Sequence, residues 1–373
     1  MSFLSGRLAA RRFILKDVHG VDHSPDAITG ALNDAAFNPD QAARMKAGGL
    51  TKGWAWGDGE QVDFDAGGRP WLYNWYALFF LRIDELKIPA PVLKRRCKQL
   101  EDEWKERHDR EKVPSSVKRE LKLAAEDELA PKTHPTTRLI PVLWDTNSNT
   151  VYVHTFTAGA LDSVRTAFRG SFSGRLEPIT SLTAMEHTGW DTARRVDESA
   201  HCADTLASEF YLWLWHDTSQ GCITALDDDL LGGSLENLGI ECWLQERAKL
   251  SSPAGTTTLK AESLTDAEIS AALLQSKAFT SIGLHLRRDE AEYRIVLQGG
   301  EIDIRSAKLP PCGGGAEDDL FYERIYFIED LYMGVMRLYR LFLALRLNET
   351  RWGAWVAKTE AFVKAQGRAG DSG

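Results

Sequence analysis

Prolines at 89, 91, 114, 131 and 135 fence off two charged stretches, and this punctuation constrains the chain more than any other feature. Proline lacks a backbone donor and clashes inside a helix, so each stretch has to start and stop at these marks. In the first, Leu93, Cys97, Leu100 and Trp104 recur at helical spacing with charged residues between them. In the second, Val117, Leu121, Ala124 and Leu129 follow Ser115 and Ser116, either of which can cap a helix. Two amphipathic helices joined at Pro114 predict a helical arm over 92–138, closed by a tip bounded by Pro131 and Pro135.

The period differs on both sides of this arm. Residues 6–16 and the run "NWYALFFLRID" read as strands, with a helix near Pro25–Ala36 between them. After the arm, "RLIPVLWDTNSNTVYVHTF" alternates about an Asp-Thr-Asn-Ser-Asn turn and reads as a hairpin. Helices near Ala158–Arg169 and Ala203–Trp215 follow, then strands from Leu238 to Glu262 with a turn at Pro253-Ala254-Gly255. Thr265 and Glu268 form a capping-box pattern for the next helix. Strands at 278–288, 291–298 and 301–305 have very short connections, which predicts an antiparallel meander. A Pro-Pro and Gly-Gly-Gly linker at 310–315 leads to closing helices at 318–347 and 350–365. Strand blocks alternating with helix pairs predict an α+β fold of antiparallel sheets, a projecting helical-hairpin tip and a C-terminal helix pair. The expected partition is an N-terminal α+β part at 1–91, the arm and tip at 92–138, a central α+β region at 139–312 and C-terminal helices at 313–373.

Chemistry is harder to find. There is no P-loop and no GxGxxG after a strand. Asp227, Asp228 and Asp229 are adjacent and read as a solvated acidic turn rather than a cation site. His187, His201 and Cys202 lack the spacing of local zinc motifs. The five cysteines include no CxxC pair, so neither a disulfide framework nor a thiolate cluster is expected. Glu301, Asp303 and Lys308 lie on one strand without the order of a nuclease motif, and read as a polar strand face. The tryptophans of "YLWLWH" read as core rather than as base-stacking platforms. No catalytic residue, metal or cofactor is expected, and the chain reads as a non-enzyme. No apolar run approaches the length of a membrane span, and the first residues lack the apolar core of a secretory signal. A soluble protein of a reducing, cytoplasmic compartment is therefore expected.

The net charge of −9 excludes a chain coated uniformly in positive charge, so a polyanion surface needs its cations gathered on one face. The arm gathers them. Lys94, Arg95, Arg96 and Lys98 come before its acids; Lys118, Arg119 and Lys122 open the second helix; and Lys132, His134 and Arg138 follow with no acid beside them in sequence. Glu101 with Lys105 and Glu106 with Arg110 are spaced as helix-supporting ion pairs. Unpaired cations of this kind suit phosphate contact with little sequence preference. The other reading is a protein-interaction scaffold that uses the arm and does not touch DNA.

Seven segments then stand in a familiar order: "MSFLSGRLAARRFIL", "IPAPVLKRRCKQLEDEW", "KRELKLAAEDELAPKTHP", "VLWDTNSNTVYV", "FRGSFSGRLEPIT", "SEFYLWLW" and "IDIRSAKLP". In this order the chain resembles the recombination-associated protein RdgC family over residues 1–350. The resemblance implies a non-enzymatic, nucleoid-associated protein of bacteria and their phages. It would form a homodimeric ring around double-stranded DNA and limit access of the RecA recombinase. It also implies DNA contacts at Lys118, Arg119 and Lys122, a tip that meets its dimer mate at 131–134, and a further contact at Lys260. Where the family has an aromatic tip residue this chain has His134, and Ala261-Glu262 replaces a basic pair. The stripe Tyr332, Met336, Tyr339 and Phe342 reads either as a second dimer contact or as intrachain core.

Overall fold

The computed structural model describes residues 3–17, 22–184, 203–220, 240–260 and 264–370. The strands in chain order are β1 (Leu8–Lys16), β2 (Leu50–Ala55), β3 (Leu72–Tyr73), β4 (Tyr76–Glu85), β5 (Thr136–Asp145), β6 (Thr150–Val153), β7 (Arg175–Pro178), β8 (Ile240–Ser252), β9 (Gly255–Lys260), β10 (Ala278–Arg288), β11 (Ala291–Gln298) and β12 (Asp303–Lys308). The helices are α1 (Pro25–Asp34), α2 (Pro39–Ala43), α3 (Ala90–His108), α4 (Ser115–Leu129), α5 (Ala158–Phe172), α6 (Ala203–Ser219), α7 (Asp266–Leu274), α8 (Glu317–Arg346) and α9 (Glu349–Gly370). Helices and antiparallel strands make this an α+β protein. No helix among the described residues is long and apolar enough to cross a membrane.

The chain divides into two compact units, which are not the four consecutive segments that the sequence suggests. One comprises residues 15–149 and 157–176, the other 1–14, 150–156 and 177–373. The reason is strand pairing. Leu8 and Ala10 of β1 lie antiparallel to Ala307 and Ile304 of β12, so the start of the chain belongs with its distant end.

The first unit, here the hairpin unit, is built on β2, β4 and β5, with β3 on β4. Against this sheet α5 packs an aromatic cluster. Trp54 and Phe79 meet edge to face at 5.1 Å, Trp54 and Phe168 at 5.5 Å, and Trp144 lies 4.9 Å from Phe172. The Trp54 indole donates to Ser171 Oγ at 2.8 Å, so its one polar atom is satisfied in the core. β2 was not expected, because Gly53 interrupts its alternation. Gly53 is required there: a Cβ would stand 2.3 Å from Phe37 Cα, where the 35–37 backbone crosses to bond Trp54. Gly53→Ala is expected to cost about 1–3 kcal/mol by overpacking, read as a lower denaturation midpoint at unchanged m-value.

The second, here the meander unit, orders its strands β6-β1-β12-β11-β10-β8-β9. The expected meander is present as β10, β11 and β12, all antiparallel. The turn at 253–254 and the Thr265 cap, which accepts from Glu268 N at 3.3 Å, are also where the sequence put them. On one face of this sheet lie α6 and α8. Tyr332 donates to the Ala10 carbonyl and Tyr293 to Asp330, and Tyr211, Trp213 and Trp215 are buried. "YLWLWH" is thus core. Of the two readings of the stripe, Tyr332, Tyr339 and Phe342 are core, at 5%, 0% and 0% exposure. Burial holds the Tyr332 and Tyr339 hydroxyls well above the usual phenol range. The carboxylates of "EIDIRSAK" are engaged in this unit: Arg11 grips Asp303 through two nitrogens and reaches Glu301 at 3.4 Å.

Two half-buried imidazoles couple this fold to pH. His154 donates from Nδ1 to the Ala9 carbonyl and meets Phe3 edge to face, and burial lowers its pKa. His23, against Trp144, is lowered by burial as well. A lowered imidazole means that the unfolded chain binds more protons below about pH 6.5, so stability present above that value is lost as pH falls through it. The thermal midpoint is expected to drop between pH 7 and 5.5. The drop should be shallower in His154→Gln, and an equal drop in that variant would exclude His154 as a source.

Candidate nucleic-acid interface

The arm is an antiparallel pair of helices. Arg96, early in α3, meets Glu128, late in α4, at 2.8 Å, whereas Glu101, further along α3, meets Lys118 near the start of α4 at 3.5 Å. α3 ends where Asp109 adopts φ 49°, and the chain turns through 109–114. Pro114 itself is the N-cap of α4, with no side-chain cap from Ser115 or Ser116. The other end of the hairpin sits at the sheet, where Glu85 of β4 is opposite Thr136 of β5. This register corrects the expected tip: residues 131–134 lie at the root, and the distal turn is 109–114.

The seam between the helices is thin. No residue of α3 is buried, and only Ala125 of α4 is. Leu93, Cys97, Leu100 and Trp104 are half-buried against α4, as their spacing predicts. The Cys97 thiol is raised by this partial burial and by Glu101. Leu123 remains 56% exposed.

The two sides of the hairpin differ in charge. On one side Arg96 binds Glu103 at 3.2 Å and Glu128 at 2.8 Å, and Lys132 binds Glu128 at 3.2 Å. Arg96 and Lys132 together hold the Glu128 carboxyl below the usual range. Arg96 and Lys132 therefore have acid partners, contrary to the expectation that they stand unpaired.

The other side is richer in lysine. Lys94, Lys98, Glu101 and Lys105 are separated by four, three and four residues, which puts them along one side of α3. The Glu101–Lys118 pair brings this side against Lys118, and Lys122 follows one turn later on α4. Lys105 pairs with Asp102 at 3.1 Å and Lys122 with Glu126 at 3.7 Å. The expected pairing of Glu101 with Lys105 is thus replaced, because the neighbouring helix offers Glu101 a lysine. Five lysines face three acids here, and Lys94 and Lys98 form no ion pair among the described residues. Such exposed pairs contribute at most about 1 kcal/mol each, so a polyanion can take the lysines from their acids at little cost.

The remaining candidates scatter. Arg95 and Arg119 are exposed and stand about 100° around their helices from Lys94 and Lys118 but about 60° from Lys98 and Lys122, at the edge of the lysine side. His134 is exposed at the root, and Arg138, on β5, donates to Thr157 Oγ1 at 3.3 Å. Lys260 ends β9 in the meander unit, opposite Arg247. Lys105 was missed as a site residue, although its spacing from Lys94 and Lys98 was legible. His187, His201, Cys202, Asp227, Asp228, Asp229, Ala261 and Glu262 lie outside the described residues. Among the described residues no group of three histidines, cysteines or carboxylates is placed to hold a metal ion. A scan against protein-family models gives no matching family, and a search of curated proteins gives no match.

Proposed function

We propose that this chain binds double-stranded DNA without sequence preference, through the lysine side of its helical hairpin, as a homodimer that limits access of the RecA recombinase. The observation that carries this reading is the segregation of Lys94, Lys98, Lys105, Lys118 and Lys122 on one side of a hairpin whose other side is neutralised internally. A point-charge surface of flexible lysines suits phosphates, which position a duplex but carry no sequence information. The order of the seven RdgC-like segments supports the homodimer and the recombination role. The net charge of −9 is compatible, because only the contact surface needs positive potential.

Two unrelated duplexes of equal length are expected to bind within a few-fold of one another in fluorescence anisotropy at low salt, and the solution mass is expected to be twice that of the chain. A preference above about tenfold for one sequence would contradict the phosphate-only contact, since a single base contact supplies that much. The exposed Leu123 beside a thin seam favours a second reading, a hairpin that docks on another protein. Failure to bind either duplex at low salt would leave that reading.

A further inference from the structure

The meander sheet has a second face, opposite the one that α6 and α8 cover. Leu284, Leu286, Ile295, Leu297 and Ala307 point into the core, so their neighbours along each strand point the other way. Strand register then aligns three of these with Trp243 across the sheet: Lys308 of β12 is opposite Arg294 of β11, Arg294 is opposite His285 of β10, and His285 is opposite Trp243 of β8. At about 4.8 Å per strand the row is roughly 14 Å long. On the next strand pair Arg247 of β8 is opposite Lys260 of β9, and both are exposed.

This face is cationic with an aromatic end. Arg294, Lys308 and Arg247 are exposed and form no ion pair among the described residues. Trp243 is half-buried, with the His285 ring 5.3 Å away and the Arg287 guanidinium 5.5 Å over its own ring. The acids stand at one border: Glu292 lies 3.5 Å from His285, and Glu241 pairs with Arg287. A sheet face that offers exposed cations for a backbone beside an aromatic ring and a guanidinium plane for an unstacked base suits a single strand. A duplex keeps its bases stacked and has no use for the ring.

We propose that this face is a separate single-stranded DNA site, with Arg294, Lys308 and Arg247 on phosphates and Trp243, with its Arg287 cover, as the stacking platform. It does not rest on the duplex reading of the hairpin, which lies in the other unit. The test is anisotropy of a labelled oligothymidine against the full chain over a salt series. Arg294→Ala with Lys308→Ala is expected to reduce the log–log salt slope by about 1.4, at about 0.7 per lost single-strand contact. Trp243→Ala is expected to weaken binding about 5- to 150-fold, and Trp243→Phe, which keeps a ring, to restore most of it. The hairpin variant Lys94→Ala, Lys98→Ala, Lys118→Ala, Lys122→Ala should hold oligothymidine like the wild type. Wild-type failure to bind oligothymidine at low salt, or an unchanged slope in the Arg294, Lys308 variant, would overturn the proposal. So would equal losses on duplex and single strand in that variant, which would make the face a duplex contact.

Discussion

Replacing Lys94, Lys98, Lys118 and Lys122 together with alanine is expected to lower duplex affinity by about two to three orders of magnitude near 0.1 M salt. Each lysine that neutralises a phosphate releases condensed counterions, and each contact contributes about 0.9 to the log–log salt slope. Four lost contacts should therefore take about 3 to 4 from that slope. The fold should survive, because all four side chains are exposed and two of them, Lys118 and Lys122, make only surface pairs. Arg95→Ala with Arg119→Ala is the matched control. It removes two cations from the same helices but from the edge of the lysine side, and should change the slope by less than half as much.

Arg11→Ala is expected to destabilise the chain by about 3–5 kcal/mol at neutral pH, roughly 10 °C in the thermal midpoint. Asp303 is 3% exposed and its carboxyl is raised by burial, so its charge is tolerated mainly through Arg11. Without that partner the buried charge is uncompensated, because Arg305 is farther away, at 3.9 Å. The sign of the pH dependence follows. Protonation neutralises Asp303, so the penalty should shrink as pH falls towards the carboxylate range, and wild type and variant should converge in acid. A loss of the same size at every pH would place the cost in packing rather than charge. Replacing both Arg11 and Asp303 by apolar residues of similar volume should recover much of the loss.

How legible the molecule was depends on the range of the interactions. Helix boundaries were readable because local devices set them: prolines around α3 and α4, and Thr265 before α7. The meander was readable because its connections are too short for anything but antiparallel neighbours. The pairing of β1 with β12 was not, since nothing local in Leu8–Lys16 specifies a partner nearly 300 residues away. The hairpin was legible as two helices, yet which of its ends is distal depends on the β4–β5 register, and the prolines at 131 and 135 look much like the one at 114. Apolar spacing could not separate a dimer stripe from core at Tyr332, Tyr339 and Phe342, because both demand the same residues. Charge behaved similarly. The arm's cations were visible, but the neighbouring helix decided the pairs of Lys118 with Glu101 and Arg96 with Glu128, while Lys132 met Glu128 four residues before it. The row from Lys308 to Trp243 exists only through the register of four strands.

The central claim is that the hairpin's lysine side meets a polyanionic backbone. Duplex binding by the intact wild-type chain, measured from 50 to 200 mM salt, tests it most directly. Five phosphate contacts predict a log–log slope near −4.5 and an affinity loss of several hundred-fold across that range. A slope near zero, or no binding at 50 mM salt, would contradict it.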